Sequence, residues 1–152
     1  MKILEVNIEE IQPYMNNPRI NDGAVNAVTA SIKQFGWKQP IVIDKDGVIV
    51  AGHTRYKAAQ KLEMATIPCV IADDLTEEEI RAYRLADNKT VELSEWDFAV
   101  LDEELSGIIN IDMSIMGFEN PTIDFVDEIA AFQKIDEKKA LEHKCPVCGY
   151  EW

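Results

Sequence analysis

Residues 48–62, Val-Ile-Val-Ala-Gly-His-Thr-Arg-Tyr-Lys-Ala-Ala-Gln-Lys-Leu, carry an apolar strand through Gly52 directly into a helix that starts with positive charge. Such a junction grips anions. The first backbone N–H groups of a helix lack intrahelical partners, and the helix dipole places partial positive charge there. A glycine then lets an oxyanion come close to the backbone. Arg55 and Lys57 add full charges within one turn, with His53 and Thr54 as further donors. The competing reading makes Gly52 a simple chain turn and Arg55 and Lys57 solvated helix residues.

A second group with chemistry closes the chain. His143-Lys144-Cys145-Pro146-Val147-Cys148-Gly149 holds a Cys-x-x-Cys pair, half of a zinc knuckle, with His143 as a third ligand two residues upstream. A structural zinc takes four ligands, so the fourth would come from a second chain, an exposed residue elsewhere or a partner protein. The alternatives are a free thiol pair or a knuckle that fills only transiently. Cys69, inside Ile67-Pro68-Cys69-Val70-Ile71, reads as a small buried hydrophobe. Three cysteines in all do not make a disulfide framework.

At 152 residues and 47% hydrophobic, the chain has enough apolar material for one main domain plus a tail. The net charge of −13 argues against a general nucleic-acid coat. Its distribution is uneven: residues 1–72 carry eight Lys/Arg against seven Asp/Glu, and residues 73–152 carry seven against twenty-one. An anionic ligand therefore belongs to the first half, while the acidic second half solubilises or docks a basic partner. No apolar run reaches the roughly 18 residues of a bilayer span, and the N-terminus lacks a signal-peptide pattern, so a cytoplasmic protein without membrane contact is expected.

The elements that must position these residues follow from periodicity. Lys2 to Ile8 alternates as a strand, and Pro13 with Asn16-Asn17-Pro18-Arg19 marks a loop. A helix capped by Asn21 or Asp22 places Val25, Val28, Ile32 and Phe35 on one face and stops at Gly36. Pro40–Ile43 and Val48–Val50 flank Asp44-Lys45-Asp46-Gly47 as a hairpin. The Gly52 helix runs to about Glu63, and Ile67–Ile71 is another strand. Thr76-Glu77-Glu78-Glu79 is a capping box for a helix through Ile80, Tyr83, Arg84 and Leu85 toward Asn88. A further helix from Ser94 or Glu95 is expected to turn Trp96, Val100, Leu101 and Leu105 inward, and Ile123–Ile135 reads as an amphipathic helix.

This order of elements, with Asn17-Pro18-Arg19, Gln39-Pro40-Ile41-Val42-Ile43, Gly52-His53-Thr54-Arg55 and Ala86-Asp87-Asn88-Lys89, resembles the ParB N-terminal domain family, also called the ParB/sulfiredoxin fold. The resemblance covers about residues 1–93. It implies an α/β (α+β) fold, a small mixed sheet with flanking helices. The domains expected are a nucleotide-binding domain at 1–93, an acidic helical extension at 94–135 and a tether with the His/Cys knuckle at 136–152. It also implies a nucleotide pocket, since partition ParB proteins bind and hydrolyse CTP and sulfiredoxin uses ATP. Gly52, His53, Thr54 and Arg55 would hold the phosphates. Gln39 and Pro40 would line the base and ribose side, Asn88 and Lys89 would approach the triphosphate and its Mg²⁺, and Arg19 would reach in from its loop. Asn88 as a helix C-cap and Arg19 as a surface residue remain the alternatives.

Departures from the family patterns narrow the chemistry. Sulfiredoxin has Gly-Cys-His-Arg where this chain has Gly52-His53-Thr54-Arg55, so no thiolate is present to attack a sulfinic acid. Free serine kinases carry Asp-Gly-His-His-Arg, and Ala51 stands in place of the leading aspartate, leaving Glu9 or Glu10 as the carboxylates that would have to enter. Partition ParB proteins have Gly-Glu-Arg-Arg followed by a helix-turn-helix, whereas residues 94–132 are acidic with no Lys or Arg. The whole is most similar to stand-alone ParB-like proteins of phages and mobile elements. That similarity implies a CTP- or ATP-binding module with weak hydrolysis at most, an accessory to DNA or to a DNA-modifying or packaging protein, with a homodimer as a further form. The alternatives are an enzyme of the same fold, a small-molecule kinase or a metal-dependent nuclease, and an interaction protein whose acidic helices bind a basic partner.

Overall fold

The computed structural model describes residues 2–118. The chain divides into two units, Met1–Asn120 and Pro121–Trp152, and the fold described here is that of the first. Four strands, β1 (Ile3–Asn7), β2 (Ile41–Ile43), β3 (Ile49–Ala51) and β4 (Thr66–Ile71), form one mixed sheet in the order β1-β4-β2-β3. β4 pairs antiparallel with β1 and parallel with β2, and β3 pairs antiparallel with β2. Four helices accompany the sheet: α1 (Val25–Phe35), α2 (His53–Lys61), α3 (Glu77–Glu92) and α4 (Phe98–Ser106). This is the mixed α/β fold expected from the order of the motifs.

The core sits where α2 lies on the sheet. Ile11, Ile41, Ile43, Ile49, Tyr56, Ala59, Ile67 and Cys69 are buried together, and Ala58 and Ala59 at 0% exposure let the α2 backbone approach the strands closely. Tyr56 keeps its polar end satisfied by donating to the Ile11 carbonyl at 3.2 Å. Cys69 is fully buried, as its apolar neighbours predict, and burial followed by the nearby Glu5 charge pushes its thiol up to about 11.

The β2–β3 hairpin delivers the chain to the Gly52 junction. Asp44 Oδ1 accepts from the amides of Asp46 and Val48 at 3.0 and 2.9 Å, shaping the turn, and Gly47 sits at φ +79°. Register shifts between Val42 and Ile43, so Val42 faces Ala51 while Ile43 faces Ile49. That irregularity re-aims the last residue of β3 just before the helix begins.

Three local expectations are corrected. α1 is preceded by a 3-10 turn at Asp22–Ala24, and Asn21 makes no capping bond, because its side chain is engaged by α2 instead. α3 does carry the Thr76–Glu79 capping box, but it continues to Glu92, so Asn88 is a mid-helix residue whose Nδ2 donates to the Arg84 carbonyl at 2.8 Å and not a C-cap. α4 begins at Phe98, because Asp97 Oδ1 accepts from the amides of Ala99 and Val100 and so fixes the first turn there. Trp96 is consequently outside the helix and 63% exposed, and Val100 is 54% exposed; neither turns inward. Trp96 packs edge-on to Phe118 at 6.0 Å instead. A 3-10 turn at Ser114–Met116 then packs against α1. Ile123–Ile135 and the His143, Cys145 and Cys148 group lie outside the described residues.

Candidate functional site

Gly52 separates β3 from α2 with φ +106°, a left-handed conformation that disfavours any side chain. A Cβ built there would also lie 3.2 Å from Ile41 Cγ1 and 3.4 Å from Arg55 Nη1. The first bond of the junction runs from the Tyr56 amide to the Gly52 carbonyl at 3.0 Å, and no side chain caps the helix start. The first turn of α2, its amides uncapped by any side chain, borders a cleft of about 250 Å³ whose walls include Arg19, Gly52, Thr54, Arg55, Asp87 and Asn88.

Arg55 joins this polar cleft to a second, more apolar one of about 470 Å³ lined by Val28, Ile32, Phe35, Trp37 and Gln39. Its Nη2 donates to Gln39 Oε1. Burial lowers the guanidinium from its usual range and Asp87 opposes that effect, yet an arginine stays charged at any physiological pH. Trp37 lines the apolar cleft, and its Nε1 is buried with no hydrogen-bond partner among the described residues.

Behind the junction lies a buried cation. Arg84 is 8% exposed; its Nε donates to the Ile49 carbonyl at 3.2 Å and its Nη2 stands 3.6 Å from Asp44 Oδ2. The guanidinium also covers the ring of Tyr14 at 3.9 Å. The Tyr14 amide in turn donates to His53 Nε2 at 3.3 Å, so that imidazole is a neutral acceptor there. Burial first, then the charges of Arg84 and Lys57, hold His53 below its usual value of 6.5.

The remaining sequence-predicted residues divide. Arg19 is in the wall and donates to the Asn88 carbonyl and Asn88 Oδ1, both at 3.3 Å, and to Glu92 at 3.5 Å. Asn88 lines the same cleft. Lys89 does not: it pairs with Glu92 at 3.0 Å and borders a neighbouring surface groove with Pro18 and Leu85. Gln39 lines the apolar cleft, while Pro40 follows it into β2 without lining either. Lys57 is turned away, donating to Asn21 Oδ1 at 2.9 Å and Asp22 Oδ1 at 2.6 Å. Glu9 and Glu10 sit in an exposed 3-10 turn and line neither cleft.

Sequence reasoning missed Asp87 as a wall residue, although it lay inside a quoted motif. The signal was helical phase: Arg84, Asp87, Asn88 and Val91 recur at three- and four-residue steps, and the last three all line the cleft. Nothing local marked Tyr14 or Trp37, and Asn21 was marked only as a helix cap, whereas its observed partners are Thr54 and Lys57.

Comparison with known proteins places the fold in a family. Residues 1–89 match the ParB N-terminal domain. The chain is similar to the ParB-like nuclease domain-containing protein YnaK of Escherichia coli, 40% identical over 80 residues that cover 52% of this chain and 92% of that one. It is also similar to the probable chromosome-partitioning protein ParB of Rickettsia felis, 34% identical over 43% of this chain, but there it spans only 24% of the relative's length. Among solved structures, the C-terminally truncated chromosome-partitioning protein ParB of Caulobacter crescentus complexed with CTP-gamma-S aligns with a TM-score of 0.57 and 26% identity, covering 70% of this chain and 61% of that one. With a family match that extends over more than half of its residues, this chain belongs to the ParB N-terminal domain family.

Proposed function

We propose that the chain is a nucleoside-triphosphate-binding module, with CTP or ATP entering as the Mg²⁺ complex. The observation that carries this reading is the Gly52 junction, where first-turn amides, Thr54 and the Arg55 guanidinium face one cleft. Phosphates bind there. The base and ribose extend past Arg55 into the apolar cleft, between Phe35, Trp37 and Gln39. CTP is favoured by the likeness to a ParB bound to a CTP analogue.

The donor set suits a metal that arrives with its ligand. Among the described residues no cluster of three or more His, Cys, Asp or Glu forms a cation cage. Mg²⁺ is commonly held by one or two protein oxygens plus phosphates. Asp87 and Asn88 are the oxygen-bearing side chains on the facing wall and would hold it, lowering the repulsion between phosphates. Hydrolysis is weak at most.

This module serves a DNA-associated machine in the cytoplasm as a phage or mobile-element accessory, and it works as a homodimer. Among the described residues no helix is long and apolar enough to cross a membrane. His143, Cys145 and Cys148 bind zinc as a separate assembly device. A second reading, a small-molecule kinase, is favoured by one observation: Asp87 supplies a carboxylate in the cleft that Ala51 does not. Titrating the protein with fluorescent CTP and ATP tests the first reading. A ³¹P assay with hydroxyl acceptors tests the second, and rapid acceptor phosphorylation would favour it.

A further inference from the structure

The segment from Tyr14 to Asp22 is fastened at both ends to the entrance of α2. At one end the Tyr14 amide donates to His53 Nε2 at 3.3 Å. At the other, Asn21 Nδ2 donates to Thr54 Oγ1 at 3.1 Å, and Lys57 donates to Asn21 and Asp22. Between them Arg19 is bound to Asn88. His53, Thr54, Arg19 and Asn21 all line the cleft at Gly52. The groups placed to meet a phosphate are therefore the same groups that fasten this segment.

The His53 fastening depends on charge. Because Nε2 accepts from Tyr14, the neutral ring carries its proton on Nδ1. The groups facing it are Arg84 from α3, which is neutralised in part by Asp44 of the β2–β3 turn, and Lys57 from α2, which is paired with Asp22. Arg55 and Asp87 share its cleft. A seated triphosphate adds several negative charges at this spot and reverses the local balance. A protonated imidazole donates from both nitrogens and offers the Tyr14 amide nothing to donate to.

We propose that His53 is a latch: an oxyanion seated at the Gly52 junction draws a solvent proton onto Nε2, which displaces the Tyr14 amide and loosens the Tyr14 end of the 14–22 segment, leaving its ring under Arg84 as the remaining tie. The proposal rests on the triphosphate reading. The proton comes from solvent and stays on the ring, and no bond of the nucleotide is made or broken. His53 acts here as a positioning residue. Occupancy of the phosphate site becomes a movement of the loop that carries Arg19.

The test is calorimetry of the full chain with Mg²⁺–CTP and Mg²⁺–ATP in two buffers of different ionisation enthalpy, paired with NMR of the His53 ring and the Tyr14 amide. The expected result is net proton uptake on binding, with affinity rising as pH falls from about 8 to about 6. The His53 titration should move upward in the complex, and exchange protection of the Tyr14 amide should fall roughly tenfold. His53→Gln keeps an acceptor near the Nε2 position and takes no proton, so at saturating nucleotide, whatever its affinity, its binding should take up no proton and keep Tyr14 protected. Binding without net proton uptake, an unmoved His53 titration, or equal uptake in His53→Gln overturns the latch alone. Absence of any isotherm with either nucleotide overturns the triphosphate reading and the latch together.

Discussion

The Arg84 guanidinium lies 3.9 Å from the centre of the Tyr14 ring, with Ile49 and Asp44 on its other sides. One buried side chain thus ties α3, the β2–β3 hairpin and the loop after β1 together. Arg84→Leu removes the cation–π contact and leaves the Asp44 carboxylate short of a partner, and the loss should be roughly 2–4 kcal/mol. Urea unfolding measures it. A loss below about 0.5 kcal/mol would show that the guanidinium is not a structural hub.

Gly52 is expected to be intolerant of even the smallest side chain. Gly52→Ala must place a Cβ at φ +106° and 3.2 Å from Ile41, which costs on the order of 1–3 kcal/mol. Thermal unfolding reports the loss. A variant as stable as the parent would mean that the junction relaxes to an ordinary backbone conformation.

The fold was legible because it was written in local signals. The capping box at Thr76, the Gly36 stop and the Asp44–Gly47 turn are short-range rules, and each element they bound appears in the structure. The strand-to-helix junction at Gly52 was legible for the same reason, and the glycine there does adopt a left-handed conformation at φ +106°. What stayed hidden is non-local. Lys57 reads as a phosphate ligand from its spacing, but Asn21 and Asp22, 36 and 35 residues away, draw it aside. Lys89 is diverted in the same way by Glu92, one helical turn on. Charge patterning fixes which residues carry charge, and only the packing decides which of them face the cleft.

Lys89→Ala and Lys57→Ala should separate these roles. Lys89 lies outside the cleft, so its removal should change nucleotide affinity less than about threefold, in the range of an exposed charge pair. Lys57→Ala should act chiefly on the 14–22 segment, visible as weaker exchange protection at Asn21. A tenfold or greater affinity loss in Lys89→Ala would place that ammonium at the phosphates after all.

Acid should loosen the fold through His53. Its folded-state value lies below the ordinary 6.5 of an unfolded chain, so between those two values the unfolded state binds more protons. Stability is then fully present above about pH 6.5 and falls as pH drops toward the depressed folded value. The same unfolding series in His53→Gln should lose that part of the slope. An unchanged slope would assign the acid sensitivity to other groups.

Metal analysis of the purified full chain addresses the tail. One zinc for each His143/Cys145/Cys148 group, lost in Cys145→Ser with Cys148→Ser, is the expected stoichiometry. Metal content unchanged by that double substitution would remove these residues as ligands.

The most direct measurement is nucleotide titration of the parent protein against Arg55→Ala, in the presence of Mg²⁺. The Gly52 cleft predicts saturable binding of CTP or ATP in the parent. It also predicts a loss of about 1.5–3 kcal/mol, a factor of roughly 10–150, when the charge-assisted contact is removed. Equal affinities in the two proteins, or no binding to either, would contradict a phosphate site at this junction.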